Sequence, residues 1–296
     1  MRYSLVTFRT DGDPQLGALL ADGTIVAPPE LKQWSGMLEL LEEWPADGLL
    51  ELSLEDAPAV TGATLLAPIR FPRKVLCAGV NYRRHIREMG GEDPDSSWRP
   101  YFFMKPPTTT VIGPADPIVL HDADAARYDW EAELAIVIGV GGRDIDLGSA
   151  RSHIAGYTVS NDVTARGYHK RTGVPIEAFA YDWFGAKAID DSLPMGPGIT
   201  PAALVPDPQD LRLRLWVNGE LQQDESTGDM ICGIDELVAA ASRIVTLEPG
   251  DVICTGTPSG VGVGRGLHLK PGDVVRVAVD GLGEIENRVI SEEDQP

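Results

Sequence analysis

Two acidic side chains that stand one residue apart give this chain its clearest sign of chemistry. Glu131 and Glu133 lie in the run DWEAE at residues 129–133, which leads into an apolar run over residues 134–138. Side chains two positions apart on a strand point to the same face, so these carboxylates project together. Adjacent carboxylates repel each other and raise each other's pKa unless a cation lies between them. The spacing indicates a cation site, although a solvated strand face shows the same pattern.

A third carboxylate, Asp162, follows a strand-like run over residues 154–159. If the two strands are neighbours, the three carboxylates converge. An all-oxygen ligand set that leaves positions open for water and substrate suits Mg²⁺, with Mn²⁺ or Ca²⁺ as alternatives. We therefore expect a divalent cofactor bound by Glu131, Glu133 and Asp162.

His85 and Glu88 form a second candidate group, in a predicted short helix over residues 81–91 that two glycines end. Residues three apart share a helical face, so the imidazole and the carboxylate meet. Such a carboxylate fixes the tautomer of the histidine and stabilises its protonated form, as in a general base. Spacing alone leaves open an ordinary surface pair.

The glycine-rich run TGTPSGVGVG at residues 255–264 follows a predicted strand. Glycines allow backbone N–H groups to approach an anion closely. The run has neither the lysine of a phosphate-binding P-loop nor the spacing and following helix of a dinucleotide site. Lys187 lies in an apolar segment, where a lysine is held near an anion or has a depressed pKa. A tight turn and a lysine with a buried stem remain the simpler alternatives.

Composition excludes several classes of partner. The 296 residues carry a net charge of −20 without a basic stripe, so we expect neither a nucleic-acid nor a membrane partner. The first residues lack the apolar core of a signal peptide, and no apolar run is long enough to span a bilayer. Cys77, Cys232 and Cys254 have no paired spacing, which is typical of reduced thiols in a cytoplasmic protein.

The chain divides at a proline-punctuated joint over residues 67–72. Residues 1–68 are predicted to form a small α/β domain with a helix over 34–44. Residues 69–296 are predicted to form a strand-rich domain with few helices. Within it, residues 211–217 alternate as a strand, residues 218–219 (Asn-Gly) form a hairpin turn, and residues 234–244 form a helix.

The order of these motifs over about residues 74–290 resembles the fumarylacetoacetate hydrolase superfamily, and within it the acylpyruvate hydrolase-like group. The matching motifs are NYxxHxxE at 81–88, FFMKP at 102–106, DWEAEL at 129–134, NDVTAR at 161–166, VNGE at 217–220, PGDVI at 249–253 and TGTPxGVG at 255–262. The resemblance implies an α+β fold, with a mixed β-roll catalytic domain of the C-terminal type of that family, and usually a homodimer.

The resemblance also implies roles for individual residues. Those that match Glu131, Glu133 and Asp162 bind the metal, and the pair that matches His85 and Glu88 activates water. Residues predicted to contact or act on the substrate are Lys105, Arg166, Lys187 and Thr257. After the arginine the family commonly has Asp-x-Gln, whereas this chain has Gly167, Tyr168 and His169. His169 therefore stands where a substrate-contacting glutamine is expected.

These residues predict a metal-dependent hydrolase that cleaves a carbon–carbon bond in a small anionic 1,3-diketo acid, of the kind formed in the breakdown of aromatic compounds. In this hypothesis His85 takes a proton from water and Lys187 stabilises the oxyanion. The aromatic-rich segment over residues 168–184 predicts a bulky acyl group. One alternative is decarboxylation or tautomerisation of an oxo acid at the same metal site. Another is a binding protein without catalytic activity.

Overall fold

The computed structural model describes residues 2–45, 48, 50–95 and 97–295. Its strands are β1 (Tyr3–Arg9), β2 (Gln15–Leu20), β3 (Ile25–Val26), β4 (Thr64–Leu65), β5 (Val75–Gly79), β6 (Tyr101–Lys105), β7 (Val111–Ile112), β8 (Ile118–Leu120), β9 (Tyr128–Asp129), β10 (Ala132–Ile138), β11 (Ile154–Asn161), β12 (Thr164–Ala165), β13 (Leu193–Pro201), β14 (Arg212–Val217), β15 (Glu220–Ser226), β16 (Val252–Cys254), β17 (Val274–Val279) and β18 (Gly283–Ser291). Its α-helices are α1 (Met37–Glu42), α2 (Arg83–Glu88), α3 (Ala123–Ala126), α4 (Arg166–His169), α5 (Trp183–Lys187) and α6 (Ile234–Ile244). Short 3₁₀ helices cover Pro29–Gln33, Ala150–His153, Glu177–Phe179, Ala202–Leu204, Thr227–Asp229, Val263–Arg265 and Glu292–Asp294.

A large mixed sheet forms the centre of the molecule. Its strand order is β3-β2-β1-β13-β11-β10-β16-β5-β6, with β4 beside β1 and β7 beside β13. Strand β10 is buried along its whole length and pairs antiparallel with β11, so that Glu133 faces Ser160 in the register. Because Asp162 directly follows β11, this register brings it beside the start of β10, where its N–H donates to the carbonyl of Glu131 at 2.9 Å.

A second sheet with the order β15-β14-β17-β18-β8 packs its apolar face into the same core. Strand β14 alternates as predicted, with Leu213 and Leu215 fully buried. The turn predicted at Asn218 and Gly219 joins β14 to β15, and both residues have positive φ angles, of 52° and 80°. These are the conformations that a tight two-residue hairpin requires.

The N-terminal residues extend the large sheet. Strand β1 pairs with β13 through Leu5 and Ile199, and a shared apolar cluster spans both sides of this pairing. The domain division predicted at residues 68 and 69 falls between β4 and β5 and stays a prediction.

The helices are short and lie at the margins of the sheets. Helix α6 spans the predicted residues, and α2 occupies the predicted segment over 81–91. The predicted helix over 34–44 is reduced to α1, preceded by a 3₁₀ turn. Mixed sheets with few helices confirm the α+β prediction. Within the described residues, no helix is both long and apolar enough to cross a bilayer.

Candidate metal centre

The three carboxylates singled out from the sequence converge at one end of β10. One oxygen from each of Glu131, Glu133 and Asp162 lies within 4.8 Å of the other two. All three side chains are buried, with relative exposures of 6%, 2% and 0%. Glu131 directly precedes β10 and Glu133 lies within it, two residues on, while Asp162 directly follows the antiparallel neighbour β11.

Two of the cationic side chains that contact this triad also line the cavity beside it. The ammonium of Lys187 donates to Glu131 Oε2 and to Asp162 Oδ2, each at 2.7 Å. The guanidinium of Arg166 donates to Glu131 Oε1 at 2.6 Å. Burial raises the pKa of Glu131, but Lys187 and Arg166 outweigh it and lower the pKa to about 2. Glu131 is therefore a carboxylate over the whole physiological range of pH.

Glu133 is the least compensated member of the triad. The N–H of Gly256 donates to its Oε2 at 2.8 Å. Burial, the thiol of Cys254 and the other two carboxylates raise its pKa well above the usual value. A buried carboxylate without a countercharge is costly, and a cation among three such oxygens removes that cost. This electrostatic deficit and the hard oxygen donors fit a divalent metal ion.

Lys105 occupies a position that its sequence motif did not reveal. The side chain is fully buried beneath Asp162, where its ammonium donates to Asp162 Oδ1 at 2.7 Å and to the carbonyl of Val163 at 3.1 Å. It does not line the cavity beside the triad. Its position suits the orientation of a metal ligand better than the substrate contact expected from the sequence.

His85 and Glu88 meet on α2 as their spacing predicted. The Nδ1 atom of His85 lies 3.1 Å from Glu88 Oε2, and His85 lines the cavity. Because Glu88 engages Nδ1, Nε2 is the ring nitrogen left for proton transfer. Burial raises the pKa of Glu88, and the contacts with His85 and the N–H of Gly260 lower it overall.

The glycine-rich run binds anions, and these anions are carboxylates of the protein itself. The N–H groups of Gly256 and Gly260 donate to Glu133 at 2.8 Å and to Glu88 at 3.0 Å. The N–H of Gly262 donates to Asp129 at 2.7 Å. A Cβ on Gly260 would lie 2.1 Å from the carbonyl oxygen of Gln222, so the loop requires glycine there. One loop thus positions three acidic groups of the site.

A small cavity of about 50 Å³ opens above the triad. It is lined by Ala78, Gly79, Val80, His85, Phe103, Glu131, Glu133, Asp162, Arg166, Trp183, Lys187 and Thr257. Room for one water takes roughly 10–15 Å³, so the space holds about four waters. Of the aromatic-rich segment that predicted a bulky acyl group, Trp183 is the residue that lines this cavity among those the structure describes.

His169 lies behind the cavity wall and is not among the residues that line the cavity. Its ring meets the Trp183 indole at 4.6 Å and 64°, and Nε2 is buried without a partner among the described residues. Burial, Arg166 and Lys187 lower its pKa, which favours the neutral ring. Thr257 does line the cavity, where its hydroxyl donates to the carbonyl of Ala132 at 2.9 Å.

Asp129 and Val80 had no role assigned from the sequence, whereas Trp183 belongs to the aromatic-rich segment that was predicted to receive a bulky acyl group. Asp129 accepts from Arg166 Nε at 2.9 Å and so aims the guanidinium at Glu131. Its place in the alternating DWEAE run was a usable signal. Trp183 forms one wall. Val80 lines the cavity with a φ of 48°, a rare conformation for a β-branched residue that no local pattern reveals.

The glycine that replaces the expected aspartate after Arg166 has a steric reason. A Cβ on Gly167 would lie 1.8 Å from the carbonyl oxygen of Ala125, in the segment that α3 brings against α4. We expect Gly167→Ala to destabilise the protein by about 1–3 kcal/mol, the usual cost of overpacking. Chemical denaturation measures this difference. Gly148→Ala is the matched control, because the space around Gly148 is open; equal stability of the two variants would contradict the explanation.

Lys187 offsets part of the negative charge of the three carboxylates when no metal is bound. Replacing it by methionine leaves Glu131 and Asp162 buried with less countercharge, a change that typically costs about 3–5 kcal/mol. We expect Lys187→Met to unfold at lower denaturant concentration, with Mn²⁺ restoring part of the loss. Lys170→Met, at an exposed position nearby, is the control. A Lys187→Met protein as stable as the parent without metal would show that the ion pairs do not support the fold.

The sequence of residues 74–290 matches the family model described as the fumarylacetoacetate (FAA) hydrolase C-terminal domain. A curated relative from Xenopus laevis, named oxaloacetate tautomerase fahd2, mitochondrial, is 42% identical over 230 residues, which cover 77% of this chain and 68% of the relative.

Solved structures agree with this match over almost the whole chain. A fumarylacetoacetate hydrolase from Exiguobacterium antarcticum superposes with a TM-score of 0.84 at 35% identity, covering 98% of this chain and 100% of the other. A maleylpyruvate hydrolase from Sphingobium sp. SYK-6, solved with a manganese(II) ion and pyruvate, has a TM-score of 0.76 at 30% identity, covering 98% and 99%. These proteins act by isomerisation in one case and by hydrolysis in the others, as their names state.

Proposed function

The chain belongs to the fumarylacetoacetate hydrolase family, and from that premise we propose that it is a divalent-metal-dependent enzyme acting on a short 2-oxo acid. The reaction we propose is keto–enol tautomerisation of oxaloacetate or a close analogue. The observation that carries this proposal is the His85–Glu88 pair placed at a carboxylate-lined cavity with room for little more than an oxo-acid head. The 42% identical relative named oxaloacetate tautomerase supports it.

Charge in the site favours an anionic substrate. The charged side chains that line the cavity form a cluster of three carboxylates (Glu131, Glu133 and Asp162) and two cationic groups (Arg166 and Lys187). A divalent cation would leave the ionised cluster with one positive charge. That excess attracts a carboxylate into the cavity in spite of the acidic surface.

Glu131, Glu133 and Asp162 would hold the metal, which supplies Lewis acidity to the 2-oxo group of the substrate. His85 takes a proton from C3 of the keto form, and the electron pair of the broken C–H bond moves into the C2–C3 bond. A proton then reaches the oxygen at C2, so the two tautomers differ only in the place of one proton. Glu88 keeps His85 in the tautomer whose Nε2 accepts a proton.

Lys187 and Arg166 act as fixed positive charges beside this reaction. Both line the cavity, and both already hold carboxylates of the triad. Their charges stabilise the negative charge that develops on the substrate oxygen, in a buried place where water screens it little. We propose that Thr257 contacts the substrate, and that Lys105 and His169 act from behind the cavity wall.

Hydrolysis of a carbon–carbon bond in an acylpyruvate-like acid is the second candidate. The similarity to the maleylpyruvate hydrolase solved with manganese and pyruvate favours it. In that reaction His85 would take its proton from water and Lys187 would stabilise the oxyanion. The small cavity favours tautomerisation, because hydrolysis requires both an acyl group and a water beside the oxo-acid head.

NMR of the reaction products separates these candidates. We expect enol and keto oxaloacetate to interconvert faster with Mg²⁺ or Mn²⁺ and the protein than with either alone, with no new carbon skeleton. Two fragments from a diketo acid would establish hydrolysis, and release of CO₂ would establish decarboxylation. If the protein binds oxo acids but converts none of those tested, the non-catalytic alternative is favoured.

We also propose a homodimer. The edge strand β6 and the adjacent α5 expose apolar side chains, with Tyr101, Met104 and Phe184 at 45%, 47% and 74% exposure. An exposed apolar edge strand readily pairs with a second copy. Sedimentation velocity is the test: a dimer mass that Met104→Glu lowers agrees with the proposal, and a monomer mass for the parent protein contradicts it.

A reducing, cytoplasmic setting remains our proposal for the location. The three cysteines are free and buried, which agrees with thiols that are kept reduced. We propose that residues 1–68 are a small domain added to the family domain, since the family match begins at residue 74, and that it docks by extending the large sheet through β1 and β13.

A further inference from the structure

Trp183 stands at the start of α5, four residues before Lys187. Residues four apart lie on one face of a helix, so the indole and the ammonium project to the same side. Both line the cavity above the triad. The carboxylate of Asp182 accepts from the N–H of Gly185 at 2.7 Å and fixes the first turn of this helix. The position of the indole is thus tied to the element that carries Lys187.

Three aromatic rings surround the indole and leave it little freedom. Phe103 stacks on it at 5.1 Å and 23°, and Tyr101 lies at 5.4 Å. His169 meets it on another side, edge to face at 4.6 Å. Such offset and edge-to-face pairs are the favoured geometries of aromatic rings. The Trp183 side of the cavity is therefore held in place by aromatic packing.

The backbone around His169 reinforces this wall. The N–H of Asp182 donates to the carbonyl of His169 at 2.9 Å, and Lys170 forms an antiparallel bridge with Tyr181. Residues 169 and 182 are thereby held together at the two ends of the segment that connects α4 to α5. His169 contacts the indole from the end of this segment that is held in place. Phe179, in the middle of the segment, is 58% exposed.

We propose that Trp183 determines the specificity of this site by excluding 2-oxo acids with a large group beyond C4, and that His169 is a positioning residue that holds the indole in the excluding position. The proposal rests on the proposed function and deepens it, because it limits the substrates to short oxo acids. An aromatic-rich segment would simply be expected to form a large apolar pocket. In this proposal the rings instead fill the space that a large substituent would need.

Calorimetry on the Mn²⁺-loaded protein tests the wall with two ligands, oxalate and 4-phenyl-2,4-dioxobutanoate. The readout is the ratio of their dissociation constants. The parent protein should bind oxalate and strongly disfavour the phenyl compound. Trp183→Ala should shift the ratio towards the phenyl compound by about 10- to 100-fold, the range over which pocket shape discriminates apolar groups. Trp183→Phe should shift it less, and Phe179→Ala should not shift it.

His169 is tested by rescue. His169→Ala should relax the ratio in the same direction as Trp183→Ala, and His169→Phe, which keeps a ring edge against the indole, should restore selectivity. A loss of stability alone would not move the ratio in this pattern.

The outcomes separate the two proposals. If the parent protein binds both ligands equally, or if the ratio is the same in Trp183→Ala and Trp183→Phe as in the parent, the size filter is wrong while the metal site stands. If the Mn²⁺-treated parent protein binds neither ligand, the proposed function itself is wrong.

Discussion

Glu133→Gln should lose Mn²⁺ affinity by more than about 100-fold and lose its metal-dependent turnover, because even residues that only orient metal ligands contribute 10- to 100-fold to affinity. The amide can still accept the hydrogen bond from the N–H of Gly256, so the loop stays in place. The substitution removes one of the three carboxylate charges that would hold the metal.

The same variant should be at least as stable as the parent protein when no metal is present. Burial and neighbouring acidic groups raise the pKa of Glu133, so its ionisation opposes folding, and the amide removes that cost. Isothermal titration with Mn²⁺ and denaturant unfolding measure the two effects. Glu220→Gln, at an exposed position, is the control. Unchanged Mn²⁺ affinity in Glu133→Gln would exclude Glu133 as a ligand.

His85→Ala should lower kcat by about 10²–10⁴-fold, the usual contribution of a positioned general base. Metal binding should persist, because the three carboxylates and Lys187 are untouched. The readouts are the rate of enol–keto conversion of oxaloacetate and, separately, the Mn²⁺ affinity. His121→Ala replaces a histidine that does not line the cavity and serves as the control.

Glu88→Gln sharpens this prediction. It keeps a hydrogen-bonding group near Nδ1 of His85 but removes the charge that stabilises the imidazolium. We expect a smaller loss of kcat than in His85→Ala, because the imidazole that takes the proton is still present. Wild-type kcat in His85→Ala would exclude the imidazole as the general base.

Local periodicity was sufficient to predict part of the site. Alternation along a strand placed Glu131 and Glu133 on one face, and helical spacing placed His85 beside Glu88; both relations depend only on neighbouring residues. Asp162 joins the two glutamates only because β10 pairs with β11. The sequence did not predict this pairing, so the convergence of the three carboxylates was conditional on it.

Other features depend on distant segments and had no local signal. Lys105 lies under Asp162 because β6 joins the edge of the large sheet, a pairing across many residues. The anions bound by the glycine-rich run proved to be acidic side chains from β9, α2 and the start of β10. The aromatic rings near Trp183 signalled a pocket, but the packing on which the proposed size limit rests joins β6 to α5 and had no local signal.

One bound cation is essential to the proposed reaction. Mn²⁺ added stepwise to chelator-stripped protein tests this directly when electron paramagnetic resonance and oxaloacetate turnover are followed in the same samples. About one ion per chain should be taken up, and turnover should rise in proportion to the bound ion. A free-ion signal from the first addition onwards, or an equal rate in EDTA, would contradict it.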